Sequence, residues 1–199
     1  MEVSVTIYAE MTPNPATMKF VANKHILIDG TVNFFNRQEA IGYSPLAEEL
    51  FNFPFVQGVF ISANFVTITK SDAIEWDFVL MELREFLKEW LTEGKEILLK
   101  MPEPKPVEAK AEDNKPKKIY EPSEYDQAIV DLLDEYIRPA VEGDGGAIDF
   151  RSFEDGVVTV LLKGACAGCP SSTATLKGGI EMLLKEHIPA VTEVIAENA

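Results

Sequence analysis

Cys166 and Cys169 are the only thiols in a chain of 199 residues, and they stand three positions apart in the run GACAGCPSS. That spacing lets both sulfurs face one metal ion or two corners of a cluster, because the two residues between them form a tight turn. Gly164 and Gly168 take side chains away from the thiols and let backbone N–H groups approach sulfur. Pro170 is well suited to open a helix, and the positive end of that helix would favour thiolates over thiols. A loop that exposes thiolates between a strand and a helix is a poor core and a good ligand set. Three readings stand side by side: ligands to a metal or cluster, a dithiol–disulfide redox centre, and a structural pair. The surrounding glycines argue against the last.

The number of ligands sharpens the first reading. Structural zinc takes about four protein ligands and an iron–sulfur cluster about four cysteines, whereas one chain supplies two. His25 lies in the other half of the sequence and His187 a full helix away, so neither is a convenient third ligand. The simplest closure is a two-fold dimer in which two CxxC loops share one cluster. A cluster held at such an interface can leave when the chains part, which suits a carrier. The ligand count is the same for [4Fe–4S] and [2Fe–2S].

Other groups are better explained by structure. The Gly143-Asp144-Gly145-Gly146 run follows a helix and precedes a strand, the reverse of a phosphate-binding glycine loop, and reads as a turn. Ser171 and Ser172 have no nearby histidine and read as helix-start residues. Glu48-Glu49 reads as a solvated face, His187 as a complement to its helix dipole, and Trp76 and Trp90 as core plus rim. No acid–base pair emerges, and the chain is not read as an enzyme.

Composition narrows the partners. With 18 Lys+Arg against 33 Asp+Glu, the net charge is -15, which repels nucleic-acid phosphates and anionic lipid alike. No apolar run approaches the roughly 18 residues needed to cross a bilayer. The start, MEVSVTIYAE, shows neither a signal peptide nor an Arg-rich transit face, so the expected location is cytoplasmic. Two cysteines make no disulfide framework.

Two acidic domains must position the thiols. Residues 1–100 carry 8 basic and 14 acidic groups, a net of -6, and residues 123–199 carry 5 and 14, a net of -9. Between them residues 101–122 are neutral, and MPEPKPVEAKAEDNKPKK within that stretch has the composition of a flexible tether. Such a tether would leave the domains to move independently. In the first domain, strand alternation at Val5 and Ile7, MKFVAN after the Thr12–Pro15 turn, a Ser44-Pro45 helix start, and a VFIS/FVTIT hairpin about Ala63-Asn64 predict strands and a helix. A helix from an Asp72/Glu75 capping box to a Gly94 stop completes β-β-α-β-β-α. In the second, Ser123 and Asp126 cap a helix that Pro139 closes; two strands flank Glu154-Asp155-Gly156, a helix buries Leu176, Ile180, Leu183, Leu184 and Ile188, and VTEVIAE ends an α-β-β-α-β domain. The class is α+β.

The segment from Arg138 to Val191, with DGG, GACAGCPSS and TLKGGIE, resembles the Nfu domain, the C-terminal module of NifU-like iron–sulfur proteins. TPNPATMKF, SPLAEELF and VQGVFISANFVTITK resemble the Nfu N-terminal domain. The resemblance implies a scaffold or carrier that binds a [4Fe–4S] cluster through its CxxC, bridging two protomers, and passes it from an upstream donor to apo iron–sulfur client proteins. Cys166 and Cys169 match those ligands. A cluster-dependent homodimer follows, with no nucleic-acid or membrane partner. The competing classes are a CxxC thiol–disulfide oxidoreductase and an interaction module with structural cysteines. The N-terminal domain has no cysteine and is read as a recognition or regulatory module. Unlike longer NifU proteins, this chain has no cysteine-rich assembly domain ahead of the Nfu module.

Overall fold

The computed structural model describes residues 4–28, 30–102, 122–167 and 170–198, without the side chains of residues 170–173. Residues 103–121 of the proposed 101–122 tether, Cys169, and the side chains of Ser171 and Ser172 therefore lie outside the described residues.

The first domain is a five-stranded antiparallel sheet backed by helices. Its elements are β1 (Ile7–Met11), β2 (Thr17–Ala22), β3 (Val32–Phe34), α1 (Arg37–Ala40), α2 (Pro45–Leu50), β4 (Val56–Ile61), β5 (Phe65–Lys70) and α3 (Trp76–Thr92). The strand order is β1-β2-β5-β4-β3. Alternation sends Met18, Phe20, Val59, Ile61, Val66 and Ile68 to one face, where they meet Val79, Leu83, Leu87 and Leu91 of α3. The β4/β5 hairpin falls where the sequence puts it. So does the start of α2: the Ser44 hydroxyl accepts from the Ala47 N–H at 3.1 Å and donates to the Ile97 carbonyl at 2.6 Å. Gly94 follows α3 with a left-handed backbone, φ +66°, as a helix stop requires. Trp76 and Trp90 are rim and core, each indole N–H donating to a carbonyl, of Pro15 and Glu96.

Two expectations for this domain are revised. The short β3 and α1 add a strand and a helical turn to the expected order. The Asp72/Glu75 capping box does not form: Glu75 occupies the N-cap in extended conformation and makes no side-chain bond to the helix.

The second domain runs α4 (Asp126–Leu132), a π-helical turn (Leu133–Ile137), α5 (Arg138–Gly143), β6 (Gly146–Glu154), β7 (Val157–Gly164), α6 (Pro170–His187) and β8 (Glu193–Asn198). β6 and β7 are antiparallel about a turn where Asp155 and Gly156 both have positive φ. β8 returns parallel to β7, with α6 as the crossover. Ile129, Leu133, Ile148, Val158, Val160, Leu162, Ile180, Leu184 and Val194 form the core. Pro139 does not end its helix. The π turn before it widens the backbone, and Pro139 enters the first turn of α5, where its missing N–H costs little.

The two domains touch. The second face of the N-terminal sheet meets the edge of the second domain at Gly143–Ala147 and Gly164–Ala165. The structure thus brings into contact two domains that the sequence suggested would move independently. No helix among the described residues is long and apolar enough to cross a membrane.

Candidate functional site

The loop that carries the thiols grows out of the end of β7. Gly146 pairs with Gly164 across the β6/β7 ladder. Gly164 adopts φ +64°, a conformation that a side chain would strain, and it turns the chain away from the sheet. The turn is tied down by backbone bonds from Ala165 N–H to the Gly145 carbonyl, at 3.2 Å, and from Ala167 N–H to the Gly164 carbonyl, at 3.1 Å. Residue 166 is thereby laid over the first residue of β6. A methyl group built on Gly146 would lie 2.8 Å from the Cys166 sulfur and 2.6 Å from the Lys163 carbonyl.

Cys166 is consequently buried, only 6% exposed, and belongs to the core cluster that holds Ile148, Leu162 and Ile180. This corrects the expectation of a thiol displayed on an open loop. The left-handed turn at Gly164 brings the side chain inward, which a residue-spacing argument does not reveal. α6 begins at Pro170, one residue beyond Cys169, as the proline signalled.

The helix behind the loop is anchored at its middle. Glu181 of α6 accepts from Lys185 Nζ at 2.5 Å and from the Val194 N–H of β8 at 3.2 Å. The Lys185 hydrogen bond, and then the Val194 N–H, hold its carboxyl below the usual carboxylate range. The opposite end of α6 is far from the thiols: 18 residues correspond to about 27 Å at 1.5 Å per residue. His187, at that end, stacks on Tyr136 with ring centroids 6.3 Å apart. His25 is exposed in the other domain. Among the described residues no group of three or more His, Cys, Asp and Glu side chains gathers as a metal site.

Sequence reasoning missed two residues that shape the loop. Gly146 reads in the sequence only as part of a turn, although the paired glycines of DGG ahead of a strand are its signal. Asn14 lies in the Thr12–Pro15 turn of the other domain, yet its carboxamide nitrogen donates to the Ala165 carbonyl at 3.3 Å.

A pair of α+β domains, the second carrying a strand–CxxC–helix unit, is the class of protein that these features define. Its two halves match two family models in that order: the N-terminal domain of the scaffold protein Nfu/NifU over residues 7–94, and the NifU-like domain over residues 129–195. The chain is 37% identical over 194 residues to NifU-like protein 4, mitochondrial, of Arabidopsis thaliana, and that alignment takes in 96% of this chain and 65% of the relative. It is 36% identical to NifU-like protein 5, mitochondrial, of the same plant, over 96% and 67% of the two chains. To the NFU1 iron-sulfur cluster scaffold homolog, mitochondrial, of Drosophila erecta it is 36% identical, over 96% and 64%. The chain belongs to the NifU/Nfu family. It spans about two thirds of the length of these relatives. All three carry mitochondrial names, and that finding overturns the expectation of a cytoplasmic location.

Proposed function

We propose that this protein is an iron–sulfur cluster scaffold or carrier that holds a [4Fe–4S] cluster through Cys166 and Cys169, shares it between two protomers, and hands it to apo-proteins. The observation that carries the reading is the seat of the Cys166 sulfur on Gly146, in a turn that leads into α6. Thiolates are the ligands such clusters take, and only a residue with no side chain leaves room for this sulfur in the packed turn. The Drosophila erecta relative, named as an iron-sulfur cluster scaffold homolog, supports the same reading. The three-part division at 1–100, 101–122 and 123–199 belongs to this proposal, with both family matches falling inside its outer parts.

The cluster is cargo in this scheme. Two chains supply four thiolates, and release proceeds by exchange: a client thiolate forms an iron–sulfur bond as a carrier thiolate leaves, with no net redox change. A thiol–disulfide oxidoreductase is the competing reading; the burial of Cys166 opposes attack on a substrate disulfide and equally requires the loop to open before a shared cluster can form.

Anaerobic reconstitution with iron and sulfide, followed by metal, sulfide and mass determination, tests the reading. About four irons and four sulfides per two chains are expected, in a dimer. A monomer that binds no iron and forms a titratable disulfide would overturn it in favour of redox chemistry.

A further inference from the structure

Alternation leaves Lys19, Val21, Phe60, Phe65 and Thr67 on the sheet face away from the N-terminal core. An isolated domain would leave this face, with its two phenylalanines, open to water. Here the glycine edge of the second domain covers it. Phe60 and Phe65 pack with Ala147, and a methyl group on Gly164 would come within 2.8 Å of the Phe60 ring. The Thr67 hydroxyl donates to the Gly145 carbonyl at 2.7 Å, and Lys19 Nζ to the Gly143 carbonyl at 3.2 Å. At the end of this seam Asn14 is held from both sides. Its carboxamide oxygen accepts from Ala16 N–H at 3.0 Å, while its nitrogen donates to Ala165, the residue before Cys166.

We propose that this seam is a reversible intrachain docking surface, and that the N-terminal domain competes through it with a second copy of the chain for approach to the CxxC loop. Docked, the domain keeps the chain monomeric; released, it admits the second loop. The inference rests on the reading of Cys166 and Cys169 as ligands to a shared cluster. One cluster held by two chains brings their loops into apposition, and the Thr12–Ala16 turn already occupies ground beside the first ligand. The seam has the make-up of a separable interdomain contact, a few apolar side chains ringed by hydrogen bonds. Its two sides carry nets of -6 and -9, so charge opposes the dock; Lys19, which also pairs with Glu10, and Lys163, which reaches Thr31 across the seam at 3.5 Å, are cations set against it. Docking within one chain is independent of protein concentration, whereas meeting a second copy depends on it. A docked form favoured about ten to one lowers the apparent affinity for a second copy about ten-fold.

The test uses the full chain. Phe65→Arg places a charge in the seam, and the double variant Asn14→Ala, Thr67→Val removes two of its hydrogen bonds without touching the N-terminal core; the double variant decides the matter where Phe65→Arg does not fold. Small-angle scattering on the reduced apo protein reads the docking. The rate of iron entry into dimers during anaerobic reconstitution reads the competition. The expected result is a larger radius of gyration in the variants and cluster-dependent dimerisation about ten-fold faster at low protein concentration. An unchanged radius of gyration would overturn the dock, and a larger one with unchanged dimerisation would overturn the competition. Absence of iron in every chain would remove the ligand reading and the competition with it, while the scattering would still judge the dock separately.

Discussion

Gly146 and Cys166 are in contact at the limit of what atoms allow: a single methyl group on the glycine would sit 2.8 Å from the sulfur. Backbone as well as sulfur surrounds that point, since the Lys163 carbonyl would be 2.6 Å away, so a flexible side chain cannot simply move aside. Gly146→Ala is expected to displace the Cys166 turn and to destabilise the second domain by about 1–3 kcal/mol, the usual cost of overfilling a packed site. Urea denaturation measures the loss, and iron content after reconstitution should fall with it. Wild-type stability in this variant would show that the turn yields freely.

Replacing Cys166 tests two roles at once. Cys166→Ser should abolish stable iron binding and, because the residue lies in the core, also lower stability, a hydroxyl being costlier to bury than a thiol. Cys166→Ala should lose the iron equally while costing less than the serine. The pair of variants, compared by thermal denaturation and iron analysis, separates ligation from packing. Iron retained by both would mean that the cluster is held elsewhere.

Ser44 bridges the start of α2 to the segment beyond α3 through its bonds to Ala47 and Ile97. Ser44→Ala removes a helix cap and the hydrogen bond to the half-buried Ile97 carbonyl, so a loss of about 1–2 kcal/mol is expected. Chemical denaturation of the N-terminal domain signal should show it, with iron loading of the second domain unchanged.

Glu181 gives a pH dependence of known sign. Its carboxyl titrates below the ordinary value of 4.5 because Lys185 and the Val194 N–H bind the charged form. A carboxyl depressed on folding contributes stability above its unfolded value, and that contribution disappears as the pH falls through the folded value. The link between α6 and β8 should therefore persist from neutral pH down to about 4.5 and fail in stronger acid. An NMR titration should show the Val194 amide shifting below that pH in the wild type. The step should vanish in Glu181→Gln.

Local signals carried well from sequence to structure, and long-range ones did not. Ser44, Gly94 and the Glu154–Gly156 turn declare themselves because one side chain, or its absence, decides each. β3 was invisible since three residues make no period, and the π turn hid the fact that Pro139 could be carried within a helix. The second sheet face was the larger omission. Lys19 and Thr67 are polar and alternate with core residues, which is the pattern of a solvated face; only the fold reveals that a second domain covers them. At the site, the CxxC and the helix after it could be read directly. The inward turn of Cys166 could not, because it depends on Gly164 lying opposite Gly146 across the ladder.

The parallel pairing of β8 with β7 has a consequence for the order in which the molecule is made. Val160 meets Ala196, so the CxxC loop and the whole of α6 lie inside the chain loop which that pairing closes. Parallel partners joined by a crossover pay the entropy of loop closure before any ladder bond forms. During synthesis the β6/β7 hairpin can emerge and pair first, while the thiol-bearing turn waits for residues 193–198 to be completed before both of its flanks are fixed. A nascent chain therefore presents its cysteines before the domain can bury one of them, and the interval ends only with the last strand.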